Sequence, residues 1–197
     1  MTAINVAIFI SGYGSNALNI IEYFDKKSSI NIALLLSNNS QSFAIEKTQE
    51  KGIEAVVFNN GSFKNNDLLL DFLLSKQIDF IVLAGFLKLI PKNITHHFAK
   101  KIINIHPSLL PKYGGKGMYG KKVHLAVIKN EETESGITIH YVNEMYDDGQ
   151  IIFQKKISVD HEDDVVTLTK KIQQLEHKYY PKIIEQVITS VFSKEYK

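Results

Sequence analysis

The sequence contains no cysteine. That absence removes disulfides, thiolate metal sites and thiol nucleophiles together, and it fits a reducing compartment. An excess of charge of one sign is also missing. The 23 basic and 21 acidic residues leave a formal net charge of +2, and the basic ones are scattered rather than clustered. No electrostatic footprint for a nucleic-acid backbone results. Long apolar runs are absent as well. The stretch Val6 to Ile10 lacks a basic flank and is far too short for a signal or a membrane span, so the chain reads as cytoplasmic, with no membrane partner. No internal repeat, low-complexity linker or domain boundary interrupts the 197 residues, which predicts one domain over 1–197. What is present, 44% hydrophobic, 22% charged and 10% aromatic residues, is the composition of a chain that buries a core.

The apolar run Asn5 to Ile10 ends at Ser11-Gly12, and apolar positions at Leu18, Ile20, Ile21 and Phe24 follow, the pattern of buried strand, tight turn and helix. The alternation continues with strands at Ile30 to Leu36, Ala55 to Phe58, Phe80 to Leu83 and Ile102 to Ile105. Helices are expected at Phe43 to Lys51, Leu68 to Lys76 and Val123 to Lys129. Buried strands alternating with helices predict a parallel sheet covered on both faces. Further on, Ile137, Ile139 and Tyr141 alternate with Thr138, His140 and Val142, and Asp147-Asp148-Gly149 precedes Ile151 to Val159, a pattern of antiparallel edge strands. A last helix is expected from about Asp163, with Asp160, Glu162, Asp163 and Asp164 at its dipole-favoured start and Pro181 marking a kink or break. The fold class is therefore α/β, a Rossmann-like three-layer fold whose mostly parallel central sheet has an antiparallel edge towards the C-terminal half.

Between the first strand and helix, Gly12, Gly14, Ser15 and Asn16 form a turn whose amides and helix dipole suit an anion, with Ser15 doubling as the helix cap. A dinucleotide fingerprint would want an acid after the second strand, where Ser37-Asn38-Asn39 stand instead. A phosphate monoester is thus favoured over a nicotinamide cofactor, beside the plainer reading of a turn needed for chain geometry. Asn104 and His106 lie two residues apart on a strand and share a face. At the C-terminal edge of a parallel sheet they would open into a cleft, where an amide and an imidazole suit a developing oxyanion. Alternatively, His106 is a satisfied core histidine before Pro107. No G-x-S-x-G elbow accompanies Ser108, which speaks against a hydrolase triad. Asp147 and Asp148 are either turn formers or the source of a carboxylate for the same cleft, and one of Thr138 and His140 would face it. His96 and His97 are adjacent on a helix and point apart, so no metal is expected.

Four elements together, Ile10-Ser11-Gly12-Tyr13-Gly14-Ser15-Asn16, Leu83-Ala84-Gly85-Phe86, Asn104-Ile105-His106-Pro107-Ser108-Leu109-Leu110-Pro111 and Asp147-Asp148-Gly149, resemble the phosphoribosylglycinamide formyltransferase family of purine biosynthesis. The resemblance covers nearly the whole chain. It implies a single formyltransferase domain with 10-formyltetrahydrofolate as co-substrate, no metal and no nucleotide cofactor. The partners would be small molecules, with a monomer or homodimer as the assembly. By that resemblance Asn104 and His106 would polarise the formyl carbonyl and stabilise the oxyanion, while Asp147 would aid proton transfer. Gly14, Ser15, Asn16 and Lys64 would take the substrate phosphate, and Glu176 the glycinamide end. Phe86, Leu87, Lys88, Leu89, Ile90, Asn104, Val142 and Asp147 would bind the folate.

Three departures accompany the match. Lys88 stands where many relatives carry arginine, and Lys64 offers the phosphate charge without a bidentate fork. The loop Tyr113 to Gly120 is longer and richer in glycine than the family's short form, either a lid or an ordered variant. The alternatives are another folate-dependent formyltransferase, a formyl-folate hydrolase, or a non-catalytic nucleotide-binding module. The first two usually carry an additional domain for which this chain has no room.

Overall fold

The computed structural model describes residues 3–58 and 66–194, so Lys64 lies outside the described residues. Five strands, β1 (Ile4–Ile10), β2 (Ile30–Ser37), β3 (Glu54–Val57), β4 (Phe80–Leu83) and β5 (Ile102–His106), pair in parallel. Two more, β6 (Glu134–Tyr141) and β7 (Ile151–Ser158), add antiparallel beyond β5. The sheet order is β3-β2-β1-β4-β5-β6-β7. The expected mostly parallel sheet with an antiparallel edge is therefore what forms. Its chain order reverses between β1 and β4, and loops diverge there to leave a crevice at the carboxyl ends of the strands. The Ser11 Oγ bridges that point by accepting the Leu87 N–H at 2.9 Å, and the Ser11 N–H donates to the Gly85 carbonyl at 3.1 Å.

The period of two in β1 splits the core. Val6, Ile8 and Ile10 pack on one face with helices α1 (Ser15–Phe24) and α6 (Val165–Lys194), whereas Ala7 and Phe9 pack on the other with α3 (Asn66–Ser75) and α4 (Lys92–His97). Helices α2 (Phe43–Glu50) and α5 (Lys121–Lys129) complete the set. Each fully buried Ile or Leu in these layers contributes about 1.5–3 kcal/mol relative to exposure.

One local expectation is corrected and two are made more exact. Ser15 is the first residue of α1 rather than its cap. Gly14 holds the cap position at φ 91°, with no side-chain cap bond. Gly14 alone suits that place, because an added Cβ would sit 2.3 Å from the Ala44 Cβ as well as in left-handed backbone. The last helix starts at Val165, because Asp164 caps it. Asp164 Oδ1 accepts the Thr167 N–H at 2.7 Å and the Thr167 Oγ1 accepts the Asp164 N–H at 2.8 Å. Nor does Pro181 break the helix, which runs 30 residues through it. Proline lacks the N–H that would bond the carbonyl four residues earlier. That carbonyl, on His177, accepts the Asn19 side-chain N–H from α1 at 2.9 Å. Midway along α6, buried Tyr180 donates its hydroxyl to the Leu83 carbonyl at 2.9 Å and ties the helix to β4.

Candidate active site

Asn104 and His106 share one face of β5 and reach the crevice together, as their spacing predicts. The cavity they enter measures about 860 Å³. Its walls are the Gly12-Tyr13 turn, the Gly85 to Lys88 exit of β4, the loop Gly115 to Gly120, and one face of α6.

His106 is 3% exposed. Its Nε2 lies 2.8 Å from the Tyr113 carbonyl, and because a carbonyl only accepts, that nitrogen carries a hydrogen. Its Nδ1 faces Asp147 Oδ1 at 3.4 Å. Across the antiparallel pair Asn104 stands opposite His140. The His140 Nδ1 donates to the Tyr141 carbonyl at 2.8 Å, which leaves Nε2 as the acceptor for the Asn104 amide at 3.1 Å. The same amide lies 3.5 Å from Asp147 Oδ1, while Asp147 Oδ2 accepts the Gly115 N–H at 2.9 Å. Burial pushes the Asp147 carboxyl up, but the neighbouring His106 and His140 side chains and the Gly115 amide outweigh it. The carboxyl is held well below the usual carboxylate range. Asp147 is therefore a fixed anion at the base of the site.

Of the two aspartates, Asp147 enters the cleft at φ 53°, while the exposed Asp148 accepts the Asn143 amide at 3.2 Å. Neither Thr138 nor His140 lines the cavity wall itself; His140 orients Asn104 behind it. Buried Thr138 pins the turn after β5, donating its hydroxyl to the Ser108 carbonyl at 2.6 Å and accepting the Leu110 N–H at 3.0 Å. The loop that carries Asp147 depends on Gly149, since an added Cβ would lie 1.7 Å from the Tyr141 carbonyl oxygen. Gly149→Ala is expected to destabilise the fold by about 3 kcal/mol, a fall of about 6–12 °C in melting temperature for a chain of this size. Calorimetry checks it.

Elsewhere in the lining the Asn16 Nδ2 donates to Glu176 Oε2 at 2.8 Å, and Gln173 Nε2 donates to the Ser15 Oγ at 3.0 Å. Burial pushes the Glu176 carboxyl up, against the Asn16 hydrogen bond and the His106 charge. Of the residues expected at the folate, Phe86, Leu87, Lys88, Asn104 and Asp147 line the cavity. Leu89 points to solvent, Ile90 is buried in the core below α4, and Val142 packs against that core. Gly12, Tyr13 and Asn16 line the cavity, whereas Gly14 and Ser15, in the same turn, do not. Thr169, Ile172 and Gln173 join Glu176 on one face of α6, a spacing of three and four residues that was present in the sequence but overlooked. Among the described residues no group of three or more His, Asp or Glu is placed to hold a metal ion.

A family model described as formyl transferase matches residues 4–184. The chain belongs to the formyl transferase family. Relatives within it include the chloroplastic phosphoribosylglycinamide formyltransferase of Arabidopsis thaliana, 40% identical over 185 residues, which cover 91% of this chain and 63% of the relative. The chain thus spans less than two thirds of that plant protein, and 59% of the corresponding enzyme of Vigna unguiculata. It spans 85% of the phosphoribosylglycinamide formyltransferase of Haemophilus influenzae, at 35% identity and with 91% of this chain covered. The crystal structure of phosphoribosylglycinamide formyltransferase from Bacillus halodurans superposes with a TM-score of 0.85 at 33% identity, covering 95% of this chain and 96% of that one. No helix among the described residues is long and apolar enough to cross a membrane.

A second histidine, His124, lies in the cavity wall. Burial first, and the His106 charge second, bring the pKa of His124 down to about 4. The unfolded chain binds that proton near the ordinary value of 6.5, the folded one only near 4. The stability His124 contributes is thus complete above about 6.5 and is lost as the pH falls towards about 4. His177, lowered by burial, acts in the same direction, whereas Asp147 loses its contribution only below the ordinary carboxylate value of 3.8. Melting temperatures between pH 7 and pH 4 are expected to decline less steeply in His124→Gln than in the wild type.

Proposed function

We propose that this chain transfers the formyl group of 10-formyltetrahydrofolate to the amine of N1-(5-phospho-D-ribosyl)glycinamide, giving the formylated ribonucleotide and tetrahydrofolate for purine biosynthesis. The observation that carries the proposal is the convergence of Asn104, His106 and Asp147 on one cavity opposite the Asn16–Glu176 pair. One side holds groups suited to a carbonyl that gains negative charge; the other holds an acid and an amide suited to an amine-bearing acceptor. Glu176 and Asn16 hold the glycinamide end, and the free N–H groups at the start of α1 take the phosphate next to Gly14 and Ser15. Lys64 adds charge to that phosphate. Phe86, Leu87, Tyr146 and Met118 offer apolar surface to the flat folate ring, with Lys88 nearby for its acidic tail.

The chemistry follows from the donors. The Asn104 N–H near Asp147 lies 3.5 Å away, a long contact that a formyl oxygen takes over. Asn104 then places an N–H where charge develops as the substrate amine attacks the formyl carbon, and His106, its Nε2–H held by the Tyr113 carbonyl, offers the Nδ1–H of its protonated ring beside Asp147. Asp147 balances the imidazolium and orients a water through which the proton the amine loses passes to the departing folate nitrogen. No side chain forms a covalent bond. Positioning of two small molecules in one cavity supplies much of the acceleration. The enzyme is proposed to act in the cytoplasm, as a monomer or homodimer.

Acceptor competition tests this reading. Given 10-formyltetrahydrofolate with glycinamide ribonucleotide, methionyl-tRNA and water together, the enzyme is expected to formylate the ribonucleotide alone. Formylation of the tRNA, or formate as the product, points instead to another formyl enzyme. Tight binding of the ribonucleotide with no turnover points to a binding module.

A further inference from the structure

His124 plays no part in the mechanism above, yet its surroundings are those of a ligand contact. It sits in the first turn of α5, its side chain is 3% exposed, and it forms part of the cavity wall together with Lys121, Ile172, Gln173 and Glu176. Its Nδ1 is buried and has no hydrogen-bond partner. A buried imidazole rarely goes unpartnered, because each unsatisfied polar atom costs about 1–3 kcal/mol. Helix α5, which carries His124, packs against α6, which carries Glu176, the partner of Asn16.

The tautomer follows from the same geometry. A neutral ring has one N–H and one lone pair. An orphaned buried N–H is rarer than an orphaned acceptor, so the sealed Nδ1 keeps the lone pair and Nε2 carries the hydrogen. The depressed pKa of about 4 keeps the ring neutral at working pH. The ring then presents a single uncharged N–H to the amine-substrate side of the cavity.

Resting on the proposed reaction, we infer that His124 is a substrate-binding residue whose Nε2–H donates to an uncharged oxygen, carbonyl or hydroxyl, of the amine-bearing ribonucleotide. It sets affinity for that substrate and has no part in holding the folate or stabilising the reaction's charge. The neutral donor complements Glu176, which accepts from Asn16 on the same wall. A cation at this place would favour the phosphate instead and let the ribonucleotide bind in the wrong direction.

The test begins with wild-type turnover, because an enzyme that does not formylate glycinamide ribonucleotide contradicts the proposed reaction rather than the role of His124. With turnover in hand, His124→Phe is expected to raise KM for the ribonucleotide about tenfold. KM for 10-formyltetrahydrofolate and kcat should change less than twofold, and His124→Asn, which keeps an N–H donor, should recover part of the loss. Equal rises in both KM values, or an unchanged ribonucleotide KM in a variant that melts like the wild type, overturn the inference. Should His124→Phe fold poorly, ¹⁵N spectra of histidine-labelled wild type decide. They should show His124 neutral with the proton on Nε2, and its Nε2 signal should move when the ribonucleotide is added without folate. A proton on Nδ1, or a signal that ignores the ribonucleotide, overturns it equally.

Discussion

Asp147→Asn is expected to lower turnover by about 10²–10⁴-fold, the range for a lost proton-transfer group, with little change in KM for either substrate. The reason lies in its two oxygens, which have different partners. Oδ1 faces His106 and the Asn104 amide, and Oδ2 accepts the Gly115 N–H. An asparagine has one carbonyl and one NH₂, so it satisfies only one side. With its carbonyl towards Gly115, the NH₂ confronts the Nδ1 side of His106 and the Asn104 amide, and the counter-charge is gone. With its carbonyl towards His106, the NH₂ confronts the Gly115 N–H and the loop Gly115 to Gly120 loses its tie. Either arrangement removes the anion that the site holds ionised. Asp147→Glu tests the same point from the other side: the charge stays but the longer stem displaces both contacts, so a partial loss is expected. Steady-state kinetics at saturating substrates distinguish the three proteins.

His106→Ala is expected to cost about 10²–10³-fold in kcat, the usual effect of removing one donor to a developing oxyanion. The ring is also packed at 3% exposure and bonded to the Tyr113 carbonyl, so part of the effect comes from a hole under the Tyr113 to Gly120 loop. His106→Asn separates the two contributions, because it fills part of the hole and keeps a donor while lacking the charged form. An intermediate rate is expected for it. Asn104 acts through the same oxygen, and its orientation comes from the His140 Nε2 at 3.1 Å. His140→Ala is therefore expected to lower kcat without touching either substrate, by freeing the Asn104 side chain to rotate.

The parts of this arrangement that depend on local period were legible in the sequence. The common face of Asn104 and His106 follows from two-residue spacing on a strand, and the apolar runs of β1, β2, β4 and β5 mark a sheet buried on both faces. The position of the cleft followed from the order of strands and helices. What depends on register did not show. Whether Thr138 or His140 meets Asn104 is decided by the pairing of β5 with β6, which sets Asn104 against His140 and His106 against Thr138. Side-chain alternation alone leaves both open. Pro181 left a kink or a break open for a related reason: the helix does not break, and Asn19, more than 150 residues away in sequence, donates to the carbonyl that the proline leaves free. Leu89 and Ile90, which the resemblance places at the folate, do not line the cavity: Leu89 is exposed and Ile90 serves the core just before α4. His124 stayed invisible, since a histidine in an amphipathic helix gives no sign of facing a cavity rather than a core.

Direct transfer between two bound small molecules is the central claim. A single-turnover experiment, with wild-type enzyme in excess over 10-formyltetrahydrofolate and glycinamide ribonucleotide present, tests it most directly. The account predicts one formylated ribonucleotide for each tetrahydrofolate released, no formate, and no label on the protein from formyl-labelled folate. Formate in place of the amine product, or label retained on the chain, would contradict it.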